Sequence, residues 1–360
     1  MPKDLNRRAV FAWCLYDFAN SAFITLVVTF IYSTYFTRSI AGDVITGTAL
    51  WSRGVTISSI VVALLSPFLG ALADRSGHRK RFLLGSTVIC VLATAMLYFP
   101  LPGETGEALF WFIVANIAFG LAFVFYNAYL PDIAPRDKIG RISGYGWSLG
   151  FVGGLLAMFI AMVALINPET PWLGFTKEGD AHIRATNVLV AAWFGVFSIP
   201  LFIWVRDKPV KRRGNTLNLM WSGVRELSST FHEIRRYREI MKFLLARLIY
   251  NDGLITVFAF AGIYSAGTFD FSMKEIMVLG VGLNIAAGIG AFALGYLDDR
   301  LGGKNTVLIS LAGLILAAAI AVCATSKWGL WIGGMIAGVF AGPNQSASRS
   351  LMGRFVPRGK

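Results

Sequence analysis

Long apolar runs alternate with short charged turns along this chain. Ten runs can be drawn, at about 11–36, 49–73, 82–100, 108–130, 143–166, 186–205, 242–266, 275–296, 305–324 and 328–350. Each approaches the ~20 residues a helix needs to cross a hydrocarbon core. In lipid, only helices and closed barrels satisfy the backbone's polar groups, and runs of this length mean helices. The pattern predicts an all-α integral membrane protein with about ten transmembrane helices. One connection breaks the rhythm: residues 206–241 hold nine Lys or Arg against four Asp or Glu. Within it Trp221, Val224, Leu227, Phe231 and Ile234 recur at helical spacing among Arg225, Arg235, Arg236 and Arg238. This predicts an amphipathic helix lying on the inner leaflet or on the cytoplasmic face of the bundle; a solvated linker with some helix is the plainer alternative. The connection separates residues 1–205, with six spans, from 242–360, with four.

The two parts share a turn. Gly70, Leu72, Asp74, Arg75 and Gly77 recur, in the same order and at identical spacing, as Gly295, Leu297, Asp299, Arg300 and Gly302. Each copy lies between two apolar runs, so the bundle reads as a duplication with pseudo-two-fold character.

Composition agrees: 56% of the residues are hydrophobic and 15% charged, against about 45–50% and 25% in soluble domains. The net charge of +13 needs no nucleic acid, because the bases collect in alternate loops. Lys3, Arg7 and Arg8 precede span one. Arg75, Arg79, Lys80 and Arg81 follow span two, Arg136, Lys138 and Arg141 follow span four, and Arg300 and Lys304 follow span eight. By the positive-inside rule these loops and both termini face the cytoplasm, and the expected location is the cell membrane. No cleavage site follows the first run, which is expected to remain as a span. Cys14, Cys90 and Cys323 all lie in apolar runs and form no disulfide or metal pattern.

The turn GALADRSGHRK at 70–80 and its degenerate copy at 295–304 resemble the signature loops of the major facilitator superfamily. YDFANSAF at 16–23, NAYLPDIA at 127–134, SGYGWSLGFVGG at 143–154 and GPNQSASRSLMGRFVP at 342–357 are similar to its "unknown major facilitator" branch, which includes the fungal autophagy-related vacuolar amino-acid effluxers. The resemblance covers nearly the whole chain. It implies two six-helix bundles that rock about a central solute site. This chain departs from that pattern in carrying ten spans, six plus four, and RFVPRGK at its end looks like the loop leading into span eleven. A truncated product or a ten-span form is therefore expected. In the family fold spans two and eleven meet, as do five and eight, so Asp299 keeps a neighbour near the start of span five while Asp74 loses its usual one.

The candidate residues fall into three groups. Gly70, Asp74, Arg75, Gly77 and Arg79, with Gly295, Asp299, Arg300 and Gly302, are expected to form a latch that closes the cytoplasmic interface; a purely topogenic basic turn is the alternative. Gly146, Gly150 and Gly154 on span five, and Gly282, Ala286 and Gly290 on span eight, recur every four residues and suit close helix packing, either between the halves or generically. Polar groups inside spans suggest a solute or proton pathway: Asp17 and Asn20 on span one, Asn116, Tyr126 and Asn127 on span four, Arg247, Tyr250, Asn251 and Asp252 on span seven, Asn344 and Gln345 on span ten. A charge at mid-membrane costs at least ~2.5 kcal/mol, which makes such residues functional candidates. Fixed ion pairs and interhelical hydrogen bonds are the structural alternatives.

Enzyme chemistry finds no support. His78, His182 and His232 lie in loops, and there is no metal-ligand cluster, nucleophile elbow or phosphate loop; neither metal nor cofactor is expected. The reading is a monomeric secondary transporter of a small solute. The resemblance points to amino acids and export, with protons as a candidate coupling ion. Export of drug-like or lipid-like amphiphiles, and a receptor-like or inactive truncated protein, stay open.

Overall fold

In a computed structural model, residues 6–207 and 238–355 are described. They form ten long helices, with no strand among the described residues. These are α1 (Arg7–Ile40), α2 (Val44–Ser76), α3 (Arg79–Met96), α4 (Thr105–Asn127), α5 (Ile139–Ile166), α6 (Ala181–Trp204), α7 (Arg238–Phe269), α8 (Met273–Leu301), α9 (Gly303–Cys323) and α10 (Lys327–Phe355). Each apolar run thus becomes one helix. By length and composition, α1, α2, α4, α5, α6, α8 and α9 can cross a membrane. The other three carry Arg79 to Arg81 (α3), Arg247, Asn251 and Asp252 (α7), and Asn344, Gln345 and Arg349 (α10). The amphipathic segment expected from Trp221 to Ile234 lies outside the described residues.

Helix ends follow local chemistry. Asp43, with extended backbone, caps α2 by accepting from the Thr46 N–H at 2.8 Å. Ser272 and Glu275 form a capping box at the start of α8, and Lys327 binds Glu275 at 2.9 Å. Both repeat turns end their helices on a positive-φ glycine, Gly77 after α2 in the left-handed conformation (φ 65°, ψ 20°) and Gly302 after α8 in a different one (φ 83°, ψ 154°), and a Cβ would be strained in either. α1 is less regular, with π-helical stretches at Phe23–Phe30 and Phe36–Ile40.

The chain divides into two compact units. One contains residues 11–129 and those from Gly153 to 207; the other contains residues 6–10, Leu130–Val152 and 238–355. In the first unit α4 packs on α2 and α3, and α6 on α3. Its core is aromatic: Tyr126 is stacked between Trp13 at 4.7 Å and Tyr16 at 4.8 Å, and Trp51 stacks on Phe112 at 3.8 Å. In the second unit α10 packs closely on α8 and α9. Large apolar side chains such as Leu64 and Phe68 on α2 and Ile315 and Val322 on α9 point outward, as lipid contact requires.

Candidate functional site

The first copy of the repeat turn is held by its own unit. Asp74 accepts from Arg79 Nε at 3.0 Å and Nη2 at 2.6 Å, and Arg79 Nη1 donates to the Ala128 carbonyl at the end of α4, at 2.9 Å. The Arg79 guanidinium also lies over the Tyr129 ring. Asp207, just past α6, completes the arrangement. It accepts from the Tyr129 hydroxyl at 2.5 Å and from the Lys80 N–H in the first turn of α3, at 3.1 and 3.2 Å. A carboxylate there meets unpaired N–H groups and the positive end of the helix dipole. Lys80 Nζ donates to the Val205 carbonyl at 2.7 Å. The turn between α2 and α3 is therefore tied to the ends of α4 and α6. Asp74 remains 58% exposed. Gly70, expected to permit close approach, faces open space among the described residues. The Arg75 side chain lies outside the described residues.

The second copy is buried and held from two sides. Asp299 accepts from the Gly140 N–H at 2.8 Å and from Arg141 Nε at 2.5 Å, both at the start of α5. This is where the sequence places its partner. Its neighbour Asp298 turns to α10, accepting from Ser350 Oγ and from Arg354 Nη1 at 2.5 Å. The side chains of Asp299 and Asp298 are 3% and 1% exposed, so these are interior ion pairs, whereas Asp74 and Arg79 form a surface one. Arg349 extends the network, donating to Ser143 Oγ at 2.9 Å and the Ser143 carbonyl at 2.7 Å, with its guanidinium over Trp147. Arg300 is exposed.

On α8 the small-residue stripe follows the generic-packing alternative. Gly282 meets Trp331 and Met335, and Gly290 lies against the Val339 backbone, so this face of α8 packs on α10 rather than on α5. The contact between α8 and α5 uses Gly144 against the Ala291 carbonyl and Gly295 against the Arg141 Cα. Gly154 packs against Ser21 and Thr25 of α1. Gly146 and Gly150 share α5 with it.

The interior candidates separate by surroundings. In the first unit Asp17 and Asn20 are each 5% exposed. Asn116 Nδ2 donates to Ser58 Oγ at 2.6 Å. Tyr126 is wholly buried; its hydroxyl donates to the Trp13 carbonyl at 3.0 Å, and its own carbonyl accepts from Trp13 Nε1 at 3.1 Å. Among the described residues, Asn20 Nδ2 and Asn127 Oδ1 are buried without a hydrogen-bond partner. In the second unit Tyr250 pairs with Ser348 at 2.7 Å and Gln345 donates to Asn251 at 3.0 Å, joining α7 to α10. Asn344 is fully buried with both amide atoms unpartnered among the described residues. Arg247 is half-buried and Asp252 is exposed on α7.

Sequence reasoning missed Asp207, Asp298, Ser350 and Arg354 as a group. The available signals were the Asp298–Asp299 doublet and the two arginines that follow the amides of α10.

Comparison with known proteins follows the same lines. The model of the family described as "Vacuole effluxer Atg22 like" matches residues 39–360. The chain is 27% identical over 351 residues to the uncharacterised MFS-type transporter YxiO of Bacillus subtilis, covering 96% of this chain and 81% of that protein. It is 23% identical to autophagy-related protein 22 of Yarrowia lipolytica, covering 86% of this chain and 66% of the fungal protein. Against the Penicillium rubens protein 22-1 it is 21% identical and covers 64% of that length, so the chain spans slightly less than two thirds of these fungal relatives. Among solved structures it resembles the transporter FucP in its outward conformation (TM-score 0.72, 10% identity, covering 96% of this chain and 89% of that one). It also resembles the proton:xylose symporter XylE (TM-score 0.67, 14% identity, 99% and 83%). At these identities the structural likeness carries the major facilitator fold.

Proposed function

Because this chain belongs to the vacuole effluxer Atg22-like family of major facilitator transporters, we propose that the solute it moves is a small amino acid and that the direction is export. It is a multi-pass membrane protein and a secondary transporter rather than an enzyme. The observation that supports the finer reading is a pair of unpartnered buried polar atoms in the first unit, one on α1 and one at the end of α4. Asn20 Nδ2 can donate to a carboxylate, Asn127 Oδ1 can accept from an ammonium group, and both are buried without a protein partner among the described residues. A zwitterion supplies both complements, and buried polar atoms of this kind call for a partner. Asp17, 5% exposed and one turn before Asn20 on α1, is the group proposed to exchange a proton. The Asp299–Arg141 contact is proposed to act as the latch, with Asp74 and Arg79 as its counterpart. The basic loops support a cell-membrane location with both termini in the cytoplasm.

The test is flux. Proteoliposomes loaded with a radiolabelled amino-acid mixture should release label faster than empty-vector controls, and an imposed pH gradient should change the rate. Asp17→Asn should abolish the pH response while retaining counterflow. Release of an amphiphilic dye without amino-acid flux would overturn the substrate class.

A further inference from the structure

Where the last turns of α1 pack on α6, at the end of the first unit opposite the signature turn, five buried polar side chains have atoms left over. Tyr32 and Tyr35, on the last turns of α1, are 0% and 4% exposed, and their rings lie 6.0 Å apart. This stretch of α1 packs against α6, which contributes His182, Arg184 and Asn187 at 9%, 8% and 0% exposure. The Tyr32 and Tyr35 hydroxyls, Arg184 Nε, His182 Nδ1 and Asn187 Oδ1 all lack a hydrogen-bond partner among the described residues. Folded proteins leave few buried polar groups unpaired, and those few need an explanation.

The remaining atoms of these residues are well placed. Arg184 Nη1 donates to the Tyr98 carbonyl at 2.8 Å and the Phe99 carbonyl at 3.3 Å, and the guanidinium lies 5.2 Å from the Tyr98 ring centroid. Asn187 Nδ2 donates to the Arg184 carbonyl at 3.1 Å. The backbone therefore fixes Arg184 while leaving its Nε and its charge unanswered. Among the described residues no carboxylate forms an ion pair with it. Glu107 and Asp180 act on the two tyrosines only through longer-range electrostatics, as does Arg184 itself, and Glu107 is exposed.

We infer that this cluster binds a small monovalent anion, a halide or a carboxylate. Two hydroxyls and a guanidinium N–H are unused donors in this packed region, and its buried guanidinium forms no ion pair among the described residues. Water could satisfy the hydrogen bonds but would leave the buried charge unbalanced. An anion answers both needs. The site is distinct from the Asp17 region and from both repeat turns, and it does not depend on which solute is carried.

The test uses the purified full chain in detergent, with thermal unfolding followed by tryptophan fluorescence at constant ionic strength. Replacing sodium gluconate with sodium chloride or sodium formate should raise the midpoint by several degrees, saturably, as expected for a ligand of the native state. A shift with chloride alone identifies a halide site, and one with formate alone a carboxylate site. The double variant Tyr32→Phe/Tyr35→Phe, which removes only the two hydroxyls, should lose most of the shift. No shift with either anion, or a full shift in the double variant, overturns the proposal. Should that variant not fold, the wild-type chain crystallised in sodium bromide decides the matter. An anomalous peak beside Tyr32, Tyr35 and Arg184 upholds the site; where formate alone shifted the midpoint, crystals grown in sodium formate replace these, and ordered water in place of the anion overturns it.

Discussion

Arg354→Ala should be among the most destabilising single substitutions in the second unit. The guanidinium donates to Asp298 at 2.5 Å, reaches the Asp298 carbonyl at 3.3 Å and lies 3.6 Å from Asp299. The Asp298 side chain is 1% exposed and that of Arg354 20%. Truncating Arg354 leaves a buried carboxylate with Ser350 as its one side-chain hydrogen-bond partner among the described residues. Breaking a buried pair from one side costs about 3–5 kcal/mol, most of it the cost of the stranded charge. Removing both charges should cost far less, so Asp298→Asn/Arg354→Ala is expected to recover most of the loss. The assay is unfolding of the detergent-solubilised chain in a denaturant series, with both single variants and the double variant forming a cycle. A loss below about 1 kcal/mol for Arg354→Ala, or a coupling energy near zero, would place the pair in the class of surface ion pairs and refute this reasoning.

Asp74→Ala, at the exposed copy of the repeat, should cost at most about 1 kcal/mol in the same assay, yet slow proteoliposome flux; unchanged flux would remove the latch role. The Asp43 carboxyl is held below its ordinary range by hydrogen bonds from the Thr46 side chain and backbone N–H. Its cap on α2 is therefore fully present above the unfolded pKa of about 3.8 and lost as pH falls through the lower folded value. Hydrogen exchange should show residues 44–47 losing protection only in that acid window, and Asp43→Ala should show the loss at neutral pH. Gly342 packs on the Ala287 backbone with no room for a Cβ, so Gly342→Val should force α8 and α10 apart and cost several kcal/mol, as overpacking does at its upper end; a monodisperse variant of unchanged stability would contradict that contact.

The helices were legible because burial in lipid demands long apolar runs, and each of the ten runs became one helix. Their partners were legible only where a motif carried them, as for Asp299 and the start of α5. Asp298 escaped because the repeat aligns Asp299 with Asp74 and sets Asp298 against Ala73, where the first copy has no acid. Asp207 escaped because it sits in a basic connection, 127 positions from the Lys80 N–H it accepts. The stripe of Gly282, Ala286 and Gly290 gave the spacing for close packing but left its neighbour, α10, open. α8 has small residues on two faces, and periodicity alone does not say which faces α5 and which α10. The orphaned tyrosines were invisible for a different reason. Tyr32 and Tyr35 read as ordinary aromatic residues near a helix end, and only folding shows that their hydroxyls find no acceptor among the described residues.

The last turn of α8 holds two neighbouring carboxylates that reach in different directions, Asp299 to the start of α5 and Asp298 to the end of α10. Three chain segments far apart in sequence, 139–144, 295–301 and 350–354, thereby share one fastening and should open as one cooperative foldon. Their amides are expected to exchange with solvent at a single common rate, slower than the helix ends around them. A chain loosened at any one of the three should expose all of them together.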